Sequence, residues 1–553
     1  MKSKINSLLI FSIIFNSFSL NSQILKNITT SFESYSAYYM DDSKTGNFNS
    51  ENRFRSNNYL NLKSNINDNW NVELQIESYI PKALLNFSPS FKETGLSTFR
   101  IQYSSEKLNL NFGNFYEQFG SGMILRSWED KSLGINNSIR GINTNYRLSE
   151  KISFKALYGN QKKGFEYSKG YIFGLDSEFD MSQMFQNNYS LIMGLSYVGR
   201  NDNKIIGISY NNTTNLYSAR LDFSSSSFYS NIELVNKSND VIAQFGKFSD
   251  DFTKKGSAFL FNSGYVKNGF GIDFTFRRLE NMSIYSERDN FGNEFNESIV
   301  NYLPALTKQH DYSLTNIYVY QSQPNVSFVD PELIKVGETG MQLDAYYFIK
   351  KKSFLGGKYG TNLSLNASLW NNIKGDFDFS NKKYETKFLG SGEKYFSEIS
   401  LEIRKKWSAK LNNIILFLNQ FYNKKYIEEK FGEINSNIIV VETTYKLKKN
   451  KSIRLELQHL STKNDNKNWS AFGFEYNLNS AFSLYISDMY NYQNPSEEKK
   501  IHYYNMGGSY SKGINRYSIN YGRQRGGLLC FGGICREVPE SNGLTFGITT
   551  SLF

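Results

Sequence analysis

Residues Asn111 to Ile142 read N-F-G-N-F-Y-E-Q-F-G-S-G-M-I-L-R-S-W-E-D-K-S-L-G-I-N-N-S-I-R-G-I. The approach to this stretch alternates strictly, with Leu110, Phe112 and Tyr116 on one face and Asn109, Asn111 and Glu117 on the other. A period of two is that of a β-strand with one face in an apolar medium and the other in a polar one. The alternation breaks at Gly120-Ser121-Gly122, passes through the charges of Arg126, Glu129, Asp130 and Lys131, and resumes near Asn136. This predicts a strand, a folded loop, and a returning strand that carries Arg140.

The same pattern recurs along the chain. Trp70, Val72, Leu74 and Ile76 alternate with Asn71, Glu73, Gln75 and Glu77, and Ile453, Leu455 and Leu457 alternate with Arg454, Glu456 and Gln458. Segments are about ten residues long with aromatics near their ends, the signature of transmembrane strands with interfacial girdles. Short connections are expected near 65–71, 104–108, 148–152, 200–204, 224–228, 266–269, 351–360, 405–409, 446–452, 477–481 and 510–514, and they alternate with longer ones. That spacing predicts a large antiparallel up-and-down β-barrel of about 24 strands, within 22 to 26. The last strand, Leu544 to Phe553, resembles the C-terminal strand of outer-membrane barrels, although Phe553 is out of phase with Phe546 and Ile548.

At the other end, Lys2 and Lys4 precede the apolar run Leu8 to Phe18, which predicts a signal peptide over residues 1–22. Residues 23–553 then form one barrel domain. The longest apolar runs beyond that point, such as Ile414 to Leu418 and Ile438 to Val441, are far too short for a membrane-spanning helix. With 39 Tyr and 45 Phe the chain is too aromatic for disorder. The net charge of +11 is spread over turns such as Lys350-Lys351-Lys352 and Arg404-Lys405-Lys406 rather than one stripe, so no nucleic-acid partner is expected.

The longest outer connection is expected from about Glu280 to Glu338, a length that implies folding, binding or capping. Cys530 and Cys535 bracket Phe531-Gly532-Gly533-Ile534 and are expected to form a disulfide on the outer face. Two thiols do not complete a metal shell, so neither metal nor cofactor is expected. The three histidines, His310, His459 and His502, lie far apart in sequence, and no G-x-S-x-G, H-E-x-x-H or phosphate-loop pattern occurs, so no enzyme is expected. Alternation begins near Ile28, which leaves no room for an N-terminal plug domain of an energised transporter. Arg523 and Arg525 share phase with Tyr517, Ile519 and Tyr521 near the outer rim, where either contact with glycolipid phosphates or an ion pair is expected.

The segments F-R-S-N-N-Y-L-N-L, E-S-Y-I-P-K-A-L-L, G-N-F-Y-E-Q-F-G-S-G and Q-R-G-G-L-L-C-F-G-G-I-C-R-E-V-P resemble a family of outer-membrane β-barrels of unknown function from Bacteroidota. The resemblance covers the mature chain and implies a Gram-negative outer-membrane location, with no catalytic or binding residue to carry over. The reading of the residues is a porin-like channel for polar solutes. Its constriction is expected from an inward-folded loop in which Glu117, Arg126, Glu129, Asp130, Lys131 and Arg140 line the lumen, with the acids opposed by basic side chains; equally, Arg126, Glu129, Asp130 and Arg140 are expected as salt-bridged packing that keeps the barrel from collapsing, and one group of residues can do both. The alternative is a non-conducting barrel that scaffolds a secretion, assembly or surface complex. Expected partners are outer-membrane lipid and glycolipid, the barrel-assembly machinery and other outer-membrane subunits.

Overall fold

A computed structural model describes residues 28–48, 53–85, 88, 90–91, 93–182, 189–202, 211–244, 247–328, 330–430, 432–531 and 534–552. The expected signal peptide and Phe553 lie outside the described residues. One sheet holds 24 strands, all antiparallel to their neighbours in chain order. Its first strand, Ile28–Met40, pairs with its last, Ser541–Leu552, from Thr30↔Leu552 to Met40↔Asn542. That pairing closes the sheet into a barrel and leaves no edge.

The phase of the alternation is the one read from the residues. Trp70 and Leu74 are exposed on the outside. Glu73 turns inward to meet Lys63 at 3.0 Å and Arg100, and Glu77 is fully buried against Lys162 at 3.2 Å. A register slip of one residue would exchange these faces. Around the rest of the wall Ile142, Leu195, Leu221, Phe417, Ile439, Leu457 and Ile486 form a continuous exposed apolar exterior.

The connections divide into two rims. All but one of the expected short turns lie at the rim where Ile28 begins, and the lysine-rich turns after Ile349, Lys406 and Lys448 are among them. The exception is the turn expected near Arg200–Lys204. The strand Ser190–Asn201 instead runs through Arg200 to the opposite rim, and it is its start, paired with the end of Glu166–Asp180 at Asp180↔Ile192, that lies at the short-turn rim. The charge cluster that looked like a solvated turn is buried: Arg200 is 0% exposed.

The long-loop rim carries residues 116–138, 281–336 and 525–540. Residues 281–336 replace the loop expected over about 280–338 and contain two short 3-10 turns, Phe291–Phe295 and Ser313–Asn316. The first two of these connections fold into the barrel.

Candidate functional site: a lumen closed by two loops

The strands Leu108–Phe115 and Ile139–Ser149 are neighbours in the wall, paired from Phe115↔Ile139 downward. Between them residues 116–138 leave the sheet and cross the interior. Gly120 and Gly122 take φ of +53° and +91°, a left-handed geometry that glycine adopts without strain. The tight turn they make presents the Ser121 N–H to the Glu233 carboxylate at 2.9 Å, and a Cβ on Gly120 would meet that carboxylate at 2.8 Å. Glu233 belongs to the strand Phe228–Gln244 on a distant part of the wall. At the loop's other end the Tyr59 hydroxyl donates to the Lys131 carbonyl at 3.0 Å and the Gln75 amide to Glu129 at 2.8 Å. The loop therefore bridges two sides of the barrel.

Its apolar residues make the bridge dry. Phe119, Met123, Ile124 and Leu125 are buried against inward-facing Leu157, Ile172, Val198, Leu216 and Val235 of the wall. Met282, Ile284 and Val300 of the long connection complete the same cluster. Further along, Tyr312, Leu314, Tyr318 and Tyr320 pack on inward Trp370, Phe396, Leu416, Leu418, Ile438 and Val440. These wall strands are apolar on both faces: Phe417 and Ile439 point out while Leu416, Leu418 and Ile438 point in. An inner face of this kind must meet protein rather than water.

Buried charges fix the long connection to the wall. Arg288 lies 2.9 Å from Asp240 and 3.3 Å from Asp202, and Arg200 shares Asp240 at 2.8 Å. Glu287 meets Lys163 at 3.0 Å. Glu338 accepts from Arg277 at 2.6 Å, from the Tyr320 hydroxyl at 2.6 Å and from the Gln323 N–H at 2.7 Å. Such groups are tolerated in a dry interior because each charge is met by an opposite charge and by hydrogen bonds. Burial still shows on the loop carboxyls: it pushes Glu129 and Glu297 above the ordinary glutamate value.

Nearer the short-turn rim the lumen is wet. Glu178, Asp344, Arg404 and Arg454 face inward and remain half-exposed. Among the described residues the interior is thus polar and partly exposed toward the short turns and packed with loop side chains toward the long-loop rim.

A family model described as a family of unknown function, DUF6029, matches residues 1–552. The chain belongs to that family. A comparison with curated protein sequences gives no match. Among solved structures, the PapC translocation pore of the P pilus usher is 8% identical at a TM-score of 0.43, with 95% of this chain and 99% of that one covered. The siderophore receptor PirA of Pseudomonas aeruginosa is 10% identical at 0.42, covering 95% and 80%. The outer membrane protein OpdK of the same organism is 11% identical at 0.35, covering 71% and 94%. The barrel assignment rests on the closed strand order and not on these distant likenesses.

The DUF6029 barrel places the expected constriction residues in three ways. Glu117 faces the lumen, bonded to Lys155 at 3.0 Å and to Asn143 at 2.8 Å. Arg126, Glu129, Asp130 and Lys131 lie on the crossing loop, where Lys131 and Lys162 act on Glu129 through space while the direct hydrogen bonds of both acids come from other groups. Glu129 accepts from the amides of Gln75 and Asn136, the latter at 2.9 Å, and Asp130 accepts from Ser132 and from the Leu133 N–H at 3.0 Å. Lys131 pairs instead with Glu33, and Arg126 lies 5.8 Å from the Tyr302 ring centre. Arg140 is corrected outright: it shares the outward phase of Ile142, is exposed, and stacks over Tyr167 at 4.1 Å.

Two further expectations meet the structure here. Cys530 and Cys535 are direct partners in the ribbon Gly527–Phe531 with Ile534–Val538, while their side chains lie outside the described residues. Arg523 makes the ion pair, with Asp42 at 2.9 Å. Arg525 turns onto the long connection and donates to the Asn316 carbonyl at 3.1 Å.

Proposed function

We propose that this DUF6029 protein is a Gram-negative outer-membrane barrel that passes polar solutes through a gated lumen. The closed sheet satisfies every ladder internally, as a spanning structure in lipid must, and its exterior is apolar. The long-loop rim faces outward and the short turns face the periplasm. The observation that carries the gating is the loop 116–138, which bonds to Glu233 on one side and to Tyr59 and Gln75 on the other. A polar vestibule behind a bridged lumen is a channel closed at rest. Cys530 and Cys535, opposed in the outer ribbon, form a disulfide in this reading, and the barrel-assembly machinery inserts the chain.

Planar-bilayer recording on the purified protein tests the proposal. Rare, small steps are expected for the wild type, and frequent large steps once residues 121–135 are replaced by a short Gly-Ser linker. Silence in both would favour the second reading, a non-conducting scaffold for a surface or secretion complex. The buried ion pairs that fasten residues 281–336 around the wall support that second reading, since displacing them is costly.

A further inference from the structure

Two histidines that are distant in sequence meet on the outside of the barrel. The pairing registers His459↔Ser470, Ser470↔Tyr490 and Tyr490↔His502 set one row across four neighbouring strands, close to their ends at the long-loop rim. The row shares the outward phase of Leu457, Ile486 and Met506. Its rings touch in sequence. His459 lies 6.1 Å from Tyr492, Tyr492 lies 6.4 Å from Tyr490, and Tyr490 stacks on His502 at 3.8 Å and 8°.

Polar groups hold this chain of rings in place. His459 Nε2 is bonded to the Tyr492 hydroxyl at 2.8 Å and His502 Nδ1 to Asp488 at 2.6 Å. Arg523, paired with Asp42, covers the Tyr504 ring at 5.2 Å beside them. Two polar groups are left over. Neither is on offer to a ligand: Asp488 Oδ1 is buried within the patch, and Asn491, 1% exposed, has the inward phase of Met489. An aromatic girdle alone anchors a barrel at the membrane surface and needs no carboxylate. Here an aspartate, an arginine and two imidazoles sit on a face that is otherwise apolar, where charge is expensive unless it has work.

We propose that this patch binds the saccharide headgroup of an outer-leaflet glycolipid. The sugar lies on the rings from His459 to His502, its hydroxyls meet the exposed imidazoles and the Tyr492 hydroxyl, and the acyl chains lie on the exposed band of Leu457, Phe472, Ile486, Met506 and Ile519 directly beneath. That apolar continuation favours a lipid over a free sugar. Arg523 already has an acidic partner, so recognition here is by stacking and hydroxyl bonding rather than by phosphate. The inference takes the long-loop rim as outer but uses none of the lumen. A protein that binds and does not conduct would overturn the channel alone.

The test is native mass spectrometry of the full chain in polyoxyethylene detergent. Three probes are compared: lipid A, its deacylated disaccharide, and phosphatidylglycerol. Lipid A should be retained selectively, and Tyr490→Ala with Tyr492→Ala should cut retention about tenfold, while the Phe pair keeps it within a few-fold. Heat-modifiable gel migration shows which variants fold. If the Ala pair does not, His502→Gln should lower retention several-fold. Equal retention of phosphatidylglycerol, equal binding of the free disaccharide, or undiminished lipid A on a folded Ala pair or on His502→Gln would each overturn the proposal.

Discussion

Arg200 and Arg454 are both inward-facing arginines on barrel strands, and they live in different solvents. Arg200 is fully buried and shares Asp240 and Asp202 with Arg288 of the long connection. Arg454 keeps 42% of its side chain exposed among Glu442, Glu456 and Glu475. One network fastens a plug to a wall in the absence of water. The other decorates a hydrated vestibule, where the same Coulomb attraction is screened. In the proposed channel, closure and selectivity therefore belong to different ends of one lumen, and each can be altered without the other.

The largest effect is expected at the dry end. Arg288→Ala leaves Asp202 and Asp240 buried with only Arg200 in direct contact and Lys237 acting through space, a loss of about 3–5 kcal/mol for a broken buried pair. The expected readout is a rise in open events in planar bilayers, with the folded barrel retained on gels. Unchanged recordings would show that the lumen is closed by packing alone. A smaller loss, about 1.5 kcal/mol at the low end for a bond to a charged group, is expected from Tyr320→Phe. Glu338 then keeps Arg277, Ser322 and the Gln323 N–H. Hydrogen exchange across 303–336 should quicken while conductance changes little.

How much of this was legible beforehand follows from the same contrast. The strand phase at Trp70 to Glu77 and the strand number were readable, because alternation reports which face meets lipid. The filled lumen left a signal in Ile414 to Leu418 and Ile438 to Val441, whose apolar residues occupy both faces, but those runs were weighed only as membrane helices. Arg200 and Asp202 read as a turn since charges are usually solvated, and their partner Arg288 is distant in sequence. Glu129 and Asp130 take their direct hydrogen bonds from amides, a hydroxyl and a turn N–H, which no charge pattern reveals. His459 and His502 looked scattered until strand register set them in one row.

Acidification offers a finer separation of the two ends. Burial raises Glu129 and Glu297 above the ordinary carboxyl value, so the docked loops disfavour their ionised forms. For a raised carboxyl that penalty is full above its folded value, shrinks as pH falls through it, and vanishes below the ordinary range. The closed state should therefore tighten as pH drops from neutral toward about 5, before most paired carboxylates take up protons. Glu129→Gln with Glu297→Gln should flatten this dependence and lower open probability at neutral pH. Openings that grow more frequent on acidification would contradict the assignment.

The smallest structural effect, and the sharpest test of the wet end, is Arg454→Ala. Three glutamates lose a cation they share; Glu442 and Glu456 keep only 12% and 14% of their side chains exposed beside a half-exposed arginine, so stability should fall by about 1 kcal/mol, the upper end for an exposed pair. Selectivity should change more. With Arg454 present the three carboxylates are partly neutralised at the wall; without it their field extends into the vestibule and attracts small cations. Any residual conductance, or that of the Arg288→Ala background, should then shift toward cations. The shift should be larger at 0.01 M salt, where screening reaches about 30 Å, than at 1 M, where it reaches about 3 Å. A reversal potential that does not move at either ionic strength would mean that ions do not pass Arg454, and the vestibule would then be a blind recess behind a permanently filled barrel.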